Sequence, residues 1–239
     1  MINLNNVTLI GLDGVGGDQQ TAFAMKYSQK GINFGKSILF SASNDQYNFC
    51  DTVSIKKMTY DECQKFTLTE LVSYIETDYL LLVQGDGFVV NSELWNQSFL
   101  EYDYIGAPWP YSNVFENSKR WPSVHEKMLQ SNENYQVGNG GFTLRSTKLM
   151  ENVKTLYDEK WQGIPEDAVI CIGMRSDLEA LGCRWPSPYI AASFSCEAKF
   201  VDVSGSTKYF SSDQSFGFHC SGTHPDKVTL LNGENLNEN

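Results

Sequence analysis

Five consecutive apolar residues, Tyr79-Leu80-Leu81-Leu82-Val83, run straight into Gln84-Gly85-Asp86-Gly87. Successive side chains of a strand point to opposite faces, so an unbroken apolar run needs cover on both sides, as in the inner strand of a layered α/β sheet. The sequence before it repeats that theme. Val7 to Asp13 reads as a short strand closing on Gly14-Val15-Gly16-Gly17, and helical pattern through Ala22, Ala24 and Met25 stops near Gly31. Ser37-Ile38-Leu39-Phe40 is a second strand and Thr52-Val53-Ser54-Ile55 a weaker third. Thr59-Tyr60-Asp61-Glu62 has capping-box spacing, and Leu68, Leu71, Val72 and Ile75 follow at helical intervals. Alternation of this kind predicts a Rossmann-like sheet, in which ligands bind beyond the carboxyl ends of the strands. Asp13 and Asp86 both fall at that edge.

Composition narrows the class. A chain of 239 residues with 41% apolar content can bury a core, which excludes general disorder. The net charge of −11 argues against nucleic acid as a partner, because phosphate backbones are met by clustered Lys and Arg. No apolar stretch approaches the roughly 18 residues of a membrane span. Met1-Ile2-Asn3-Leu4-Asn5-Asn6 has neither the basic start nor the apolar core of a signal peptide. The six cysteines form no C-x-x-C pair, the pattern of scattered core thiols in a reducing compartment. A cytoplasmic location is therefore expected. Peripheral attachment at the inner membrane face would suit a lipid-linked acceptor, though no basic amphipathic helix supports it.

The second half is less regular. Residues 110–136, with Pro110, Asn113, Asn117, Pro122 and a polar SNEN stretch, read as a long loop over the site. Helices are expected at about 146–160 and from Pro165 to Leu181, the latter stopped by Gly182. A polar tail closes the chain over residues 233–239, leaving one domain over residues 1–232.

Six features could carry chemistry, and each also has a plain structural explanation. Asp86 between Gly85 and Gly87 suits a hard divalent cation shared with a diphosphate, or simply a tight turn. Val137-Gly138-Asn139-Gly140-Gly141-Phe142 could form a backbone floor under a sugar ring, or an ordinary turn. Glu166-Asp167 at a helix start could supply a general base, or merely complement the helix dipole. His219, between Phe218 and Cys220, is either a satisfied core residue or a metal ligand. Trp109, at the end of Tyr102-Asp103-Tyr104-Ile105-Gly106-Ala107-Pro108, could stack on a sugar or pack in the core. Arg145, just after the glycine turn, could contact phosphate or form a surface ion pair. Two other patterns fail. The third glycine of a dinucleotide fingerprint would fall at Gln19, and Asn96-Gln97-Ser98 has glycosylation spacing without a compartment that would use it.

Taken in order, Gln84-Gly85-Asp86-Gly87-Phe88, the YDYIGAPW run, VGNGGFTLRS, Pro165-Glu166-Asp167 and Phe216-Gly217-Phe218-His219 resemble the DUF5672 family over about residues 7–222. That family is similar to GT-A glycosyltransferases. The resemblance implies a single GT-A-like α/β domain, with a Rossmann-like mixed central sheet flanked by helices. The implied activity is transfer of a sugar from a nucleotide-diphosphate donor to a hydroxyl of a glycan or glycoconjugate, metal-dependent on Mn²⁺ or Mg²⁺ and inverting. By position, Asp86 matches the last Asp of the D-x-D metal motif and His219 the late metal ligand. Gln84 stands where the general pattern has Asp, a departure that removes one charge. Asp13, Gly14, Gln84, Gly85 and Arg145 would bind the donor. Trp109, Asn139, Gly140, Gly141 and Phe142 would bind the acceptor or sugar. Asp167 matches the catalytic base, with Glu166 orienting the acceptor hydroxyl.

Two other classes compete. A non-catalytic module that binds a glycan or nucleotide sugar would explain Gln84, but has no need of Asp86, Glu166, Asp167 and His219 together. A nucleotidyltransferase would be expected to carry a basic phosphate signature after the first strand, and Gly14 to Gly17 contains no Lys or Arg.

Overall fold

The computed structural model describes residues 1–16, 19–43, 45–130, 137–197, 200–201 and 206–220. The expected tail at 233–239 lies outside these residues, as does Gly17. A six-stranded mixed sheet forms the centre. It is built from β1 (Ile2–Asp13), β2 (Ile32–Ser41), β3 (Asp51–Ser54), β4 (Tyr79–Val83), β6 (Tyr104–Ile105) and β7 (Thr143–Ser146), in the order β3-β2-β1-β4-β7-β6. The first four are mutually parallel, and β7 runs antiparallel to both β4 and β6. A three-stranded sheet holds β5 (Gly87–Val89), β11 (Gly217–His219) and β8 (Ser195–Cys196), and β9 (Phe200–Val201) pairs with β10 (Thr207–Lys208).

The apolar run of β4 does what its composition requires. Leu80 and Leu82 join Ile10, Ile38 and Phe40 on one face of the sheet. Leu81 and Val83 join Leu9 and Leu39 on the other. The first face is covered by α2 (Tyr60–Thr69) and α5 (Thr147–Leu156), the second by α1 (Gln20–Ser28) and the small sheet. The capping box of α2 is present: Glu62 N–H donates to Thr59 Oγ1 at 3.3 Å, and Thr59 N–H donates to Glu62 Oε2 at 2.8 Å. Helix α5 starts where Ser146 accepts from Leu149 N–H, and the Ser146 hydroxyl donates to buried Asp103. All six cysteines are free, and no helix among the described residues is long and apolar enough to cross a membrane.

Three expectations need correction. The stretch 110–136 is not a long loop: it holds α3 (Tyr111–Ser118) and α4 (Pro122–Gln130), with 131–136 outside the described residues. Its prolines are helix starters, Pro110 preceding α3 and Pro122 opening α4, because a first-turn residue needs no N–H partner. Val124 and Met128, four apart, turn one side of α4 into the core. The helix expected at 146–160 ends at Leu156. The helix expected at 165–181 is broken into α6 (Glu166–Ala168), a π-turn over Val169–Gly173 and α7 (Arg175–Ala180), followed by Gly182 at φ 77°. A Cβ at Gly173 would overlap the indole of Trp161, so that indole fixes how closely the turn packs. Helix α8 (Pro188–Phe194) follows, with Pro188 in its first turn.

Core and cap contributions should separate cleanly in urea denaturation. Leu81→Ala, at a wholly buried position, is expected to lose about 2–5 kcal/mol. Thr59→Ala, which removes half of an exposed capping box, should lose about 1 kcal/mol.

Candidate active site

The strand order reverses beside β1, which places the ends of β1 and β4 next to each other at one edge of the sheet. Asp13 ends β1, and its Oδ1 accepts from Gly16 N–H at 2.9 Å. Beyond β4 the chain turns back on itself. Gln84 and Gly87 exchange both backbone hydrogen bonds, leaving Gly85 and Asp86 at the tip. Strand β11 then pairs with β5 so that His219 lies opposite Gly87, and Cys220 N–H donates to the Asp86 carbonyl at 2.9 Å. Residues 133 positions apart in the chain are thereby joined: His219 Nε2 lies 3.8 Å from Asp86 Oδ1.

The glycine turn between β6 and β7 works differently from a sugar floor. A Cβ at Gly138 would overlap the indole of Trp109, one at Gly140 would overlap Glu166 Oε1, and one at Gly141 would overlap the His219 ring. Each glycine thus makes room for a protein side chain. Asn139, held at φ 72°, ties the turn together. Its Oδ1 accepts from Gly141 and Phe142 N–H, while its Nδ2 donates to Glu197 Oε2 at 2.7 Å and faces His219 Nδ1 at 2.6 Å. Its carbonyl accepts from the buried Tyr104 hydroxyl at 2.5 Å. Asn139, Gly140, Gly141 and Phe142 are all buried, and Phe142 stacks on Phe194, so these four do not present a sugar-binding surface.

Arg145 is likewise corrected. It is 0% exposed and donates to Glu166 Oε1 at 2.6 Å, a buried pair in place of a phosphate contact or a surface bridge. Burial acts to lower the Arg145 pKa, but Tyr104 and Glu166 outweigh it and the net shift is upward. Glu166, thus engaged, also receives a tether, since its N–H donates to Gln64 Oε1 at 2.8 Å.

Two cavities meet at α6. One, of about 700 Å³, is lined by Asp13, Gly14, Gln84, Gly85, Asp86 and Glu166 among others. The second, of about 380 Å³, is lined by Trp109, Trp121, Asn113, Asn117, Asp167 and Glu197 among others. Adjacent carboxylates therefore face different cavities, and Tyr60 lines both. Burial, then Glu166, pushes the Asp167 pKa up to about 7, against the opposing pull of the Ala168 N–H and Arg145. His219 stands beside Asp86 at the margin of the larger cavity. Burial acts to lower its pKa, yet Glu197, Asp86 and Asp167 raise it overall. Tyr60, Gln64, Trp121 and Glu197 were not singled out from the sequence. Tyr60 and Gln64 belong to a helix legible only as a helix, and Glu197 is an isolated carboxylate with no spacing signal.

The residues fit a divalent cation in one specific sense. Neither cavity is lined by any Lys or Arg among the described residues, so a diphosphate in the larger one would need positive charge from elsewhere. No group of three His, Cys, Asp or Glu side chains comes together as a metal cluster among the described residues. Asp86 and His219 would supply two ligands, leaving the rest to substrate oxygens and water.

Two outcomes follow from this geometry. Arg145→Met should destabilise by about 3–5 kcal/mol in denaturant titration, because Glu166 is left buried without its partner. Adding Glu166→Gln should recover much of the loss. Asp167 binds its proton more tightly folded than unfolded, so stability falls as pH rises from about 4 to about 7. Asp167→Asn removes that penalty, and its melting temperature should exceed that of the wild type above pH 7, with the gap closing toward pH 4.

The fold is similar to two solved structures. Bifunctional IspDF from Campylobacter jejuni matches at 12% identity and a TM-score of 0.44, covering 87% of this chain and 53% of IspDF, so the chain spans about half the length of that protein. The galactosyltransferase LgtC, in complex with donor and acceptor sugar analogs, matches at 13% identity and a TM-score of 0.48, covering 95% of each chain. No curated protein matches the sequence. Residues 47–219 match the family model described as "Protein of unknown function (DUF5672)", and the chain belongs to that family.

Proposed function

We propose that the protein is a glycosyltransferase that moves a sugar from a nucleoside-diphosphate donor to an acceptor hydroxyl. The observation that carries this reading is the pair of cavities separated by Glu166-Asp167, one floored by the ends of β1 and β4, the other walled by aromatic side chains. A two-substrate transfer needs two adjoining sites with a base between them.

In this reading the donor lies in the larger cavity, with its nucleotide toward Asp13 and Gly14 and its diphosphate toward Gln84, Gly85 and Asp86. Asp86 and His219 would hold Mn²⁺ or Mg²⁺, which supplies the positive charge that stabilises a diphosphate leaving group. The acceptor enters the smaller cavity against Trp109. Asp167 takes the acceptor hydroxyl proton as the acceptor oxygen bonds to the anomeric carbon. The bond from that carbon to the phosphate oxygen breaks, and its electron pair leaves with the nucleoside diphosphate. Attack from the face opposite the leaving group inverts the anomeric configuration. A pKa near 7 suits a base that must be partly free at neutral pH and still attract a proton. Glu166 serves as the buried counter-ion of Arg145 and as a wall of the donor cavity, and does not reach the acceptor cavity.

The test is turnover. Nucleotide sugars of several bases and sugars, incubated with Mn²⁺ and mixed glycan acceptors, should yield one nucleoside diphosphate by chromatography. Release should be lost in Asp86→Ala and reduced about 10²–10⁴-fold in Asp167→Asn. Wild-type rate should rise with pH up to about 7 and then level, as Asp167 loses its proton. Binding of nucleoside diphosphates without turnover on any acceptor would favour a non-catalytic module, and no binding at all would overturn the reading.

A further inference from the structure

We infer that the smaller cavity selects a sugar without negative charge, and that α3 and the start of α4 help set this choice. The inference rests on the transferase reading above, and goes further by naming the acceptor class and the residues that discriminate it.

The lining has three chemical parts. Trp109, Trp121 and Tyr60 offer aromatic faces, suited to the apolar C–H faces of a pyranose ring. Asn113 and Asn117, one turn apart on α3 and both exposed, offer neutral amides that can each donate to and accept from hydroxyls. Asp167 and Glu197 add two carboxylates among otherwise mostly apolar neighbours such as Val114 and Ile172, and no Lys, Arg or His lines the cavity among the described residues. A phosphorylated or acidic sugar would set its negative charge against these carboxylates with no Lys, Arg or His of the described lining to offset it, which in a partly enclosed cavity is unfavourable. A volume of about 380 Å³ lies at the small end of ligand sites, so recognition is of a ring or chain end and not of an extended surface.

Saturation-transfer NMR on the full chain, with Mn²⁺ and a mixture of UDP, GDP, CDP and ADP present, tests this directly. The probes are methyl glycosides of galactose, glucose, mannose and N-acetylglucosamine, set against glucuronate and hexose 6-phosphates. At least one neutral glycoside should receive saturation while the charged sugars do not. Its binding should weaken about tenfold in Asn113→Ala/Asn117→Ala, as loss of amide hydrogen bonds implies, and also in Trp121→Ala. Both sites are on or near the surface, and circular dichroism checks that the variants fold. Charged sugars binding as well as neutral ones would overturn the inference, as would neutral binding unchanged in both variants. Nucleotide signals in the same samples are read separately. Nucleotide binding without any glycoside binding strikes the acceptor inference alone, whereas absence of nucleotide binding strikes the transferase reading while the glycoside comparison still scores the cavity.

Discussion

Between Val137 and Phe142 the main chain passes so close to three side chains that no Cβ fits at Gly138, Gly140 or Gly141. Trp109, Glu166 and His219 come from different parts of the chain, and each is seated against one of these glycines. Asn139 locks the turn through its own side chain, accepting from two backbone N–H groups on one side and donating toward Glu197 and His219 on the other. Close approach of backbone is what glycine supplies. Here it brings an indole, a carboxylate and an imidazole to one junction, which fixes where the two cavities meet. A side chain at any of the three positions would displace one of those groups.

Charge shapes the two cavities as firmly as packing does. The larger cavity is lined by Asp13, Asp86 and Glu166, and the smaller by Asp167 and Glu197, with no Lys or Arg in either lining among the described residues. The nearby cation, Arg145, is buried behind the turn and held by Glu166. Buried ion pairs of this kind cost much when halved and little when replaced whole, so their value here is positional. With Glu166 held by Arg145, its neighbour Asp167 faces the other cavity, where burial and the adjacent carboxylate hold its proton into the neutral range. In the proposed function this acidic cavity would take a diphosphate only together with a cation, which Asp86 and His219 would hold.

The sheet is largely legible from sequence because its signals are local. The apolar run at Tyr79–Val83, the capping box at Thr59–Glu62 and the glycine stop at Gly31 each depend on residues a few positions apart, and each is found in place. The helices α3 and α4 were hidden because Pro110 and Pro122 look like loop residues when they are helix starters. The site is legible in membership but not in arrangement. Asp13, Gln84 and Asp86 reach one cavity and His219 joins Asp86, as the order of motifs implies. Exposure overturns the surface roles of Arg145, Asn139 and Phe142, because burial depends on strands that pair over long distances. Glu197 has no local signal at all and enters only through the pairing of β8 with β11.

In the proposed function a cation and a diphosphate occupy the cavity at the ends of β1 and β4, while Asp167 faces a separate cavity for the acceptor. A crystal structure with Mn²⁺ and the nucleoside diphosphate released in turnover, with the metal located by anomalous scattering, tests it most directly. The prediction is an anomalous peak bridged by Asp86 and His219, with the diphosphate beside Gln84 and Gly85 and the cavity lined by Trp109 and Trp121 left open. A nucleotide seated between Trp109 and Trp121, or a metal bound away from Asp86 and His219, would contradict it.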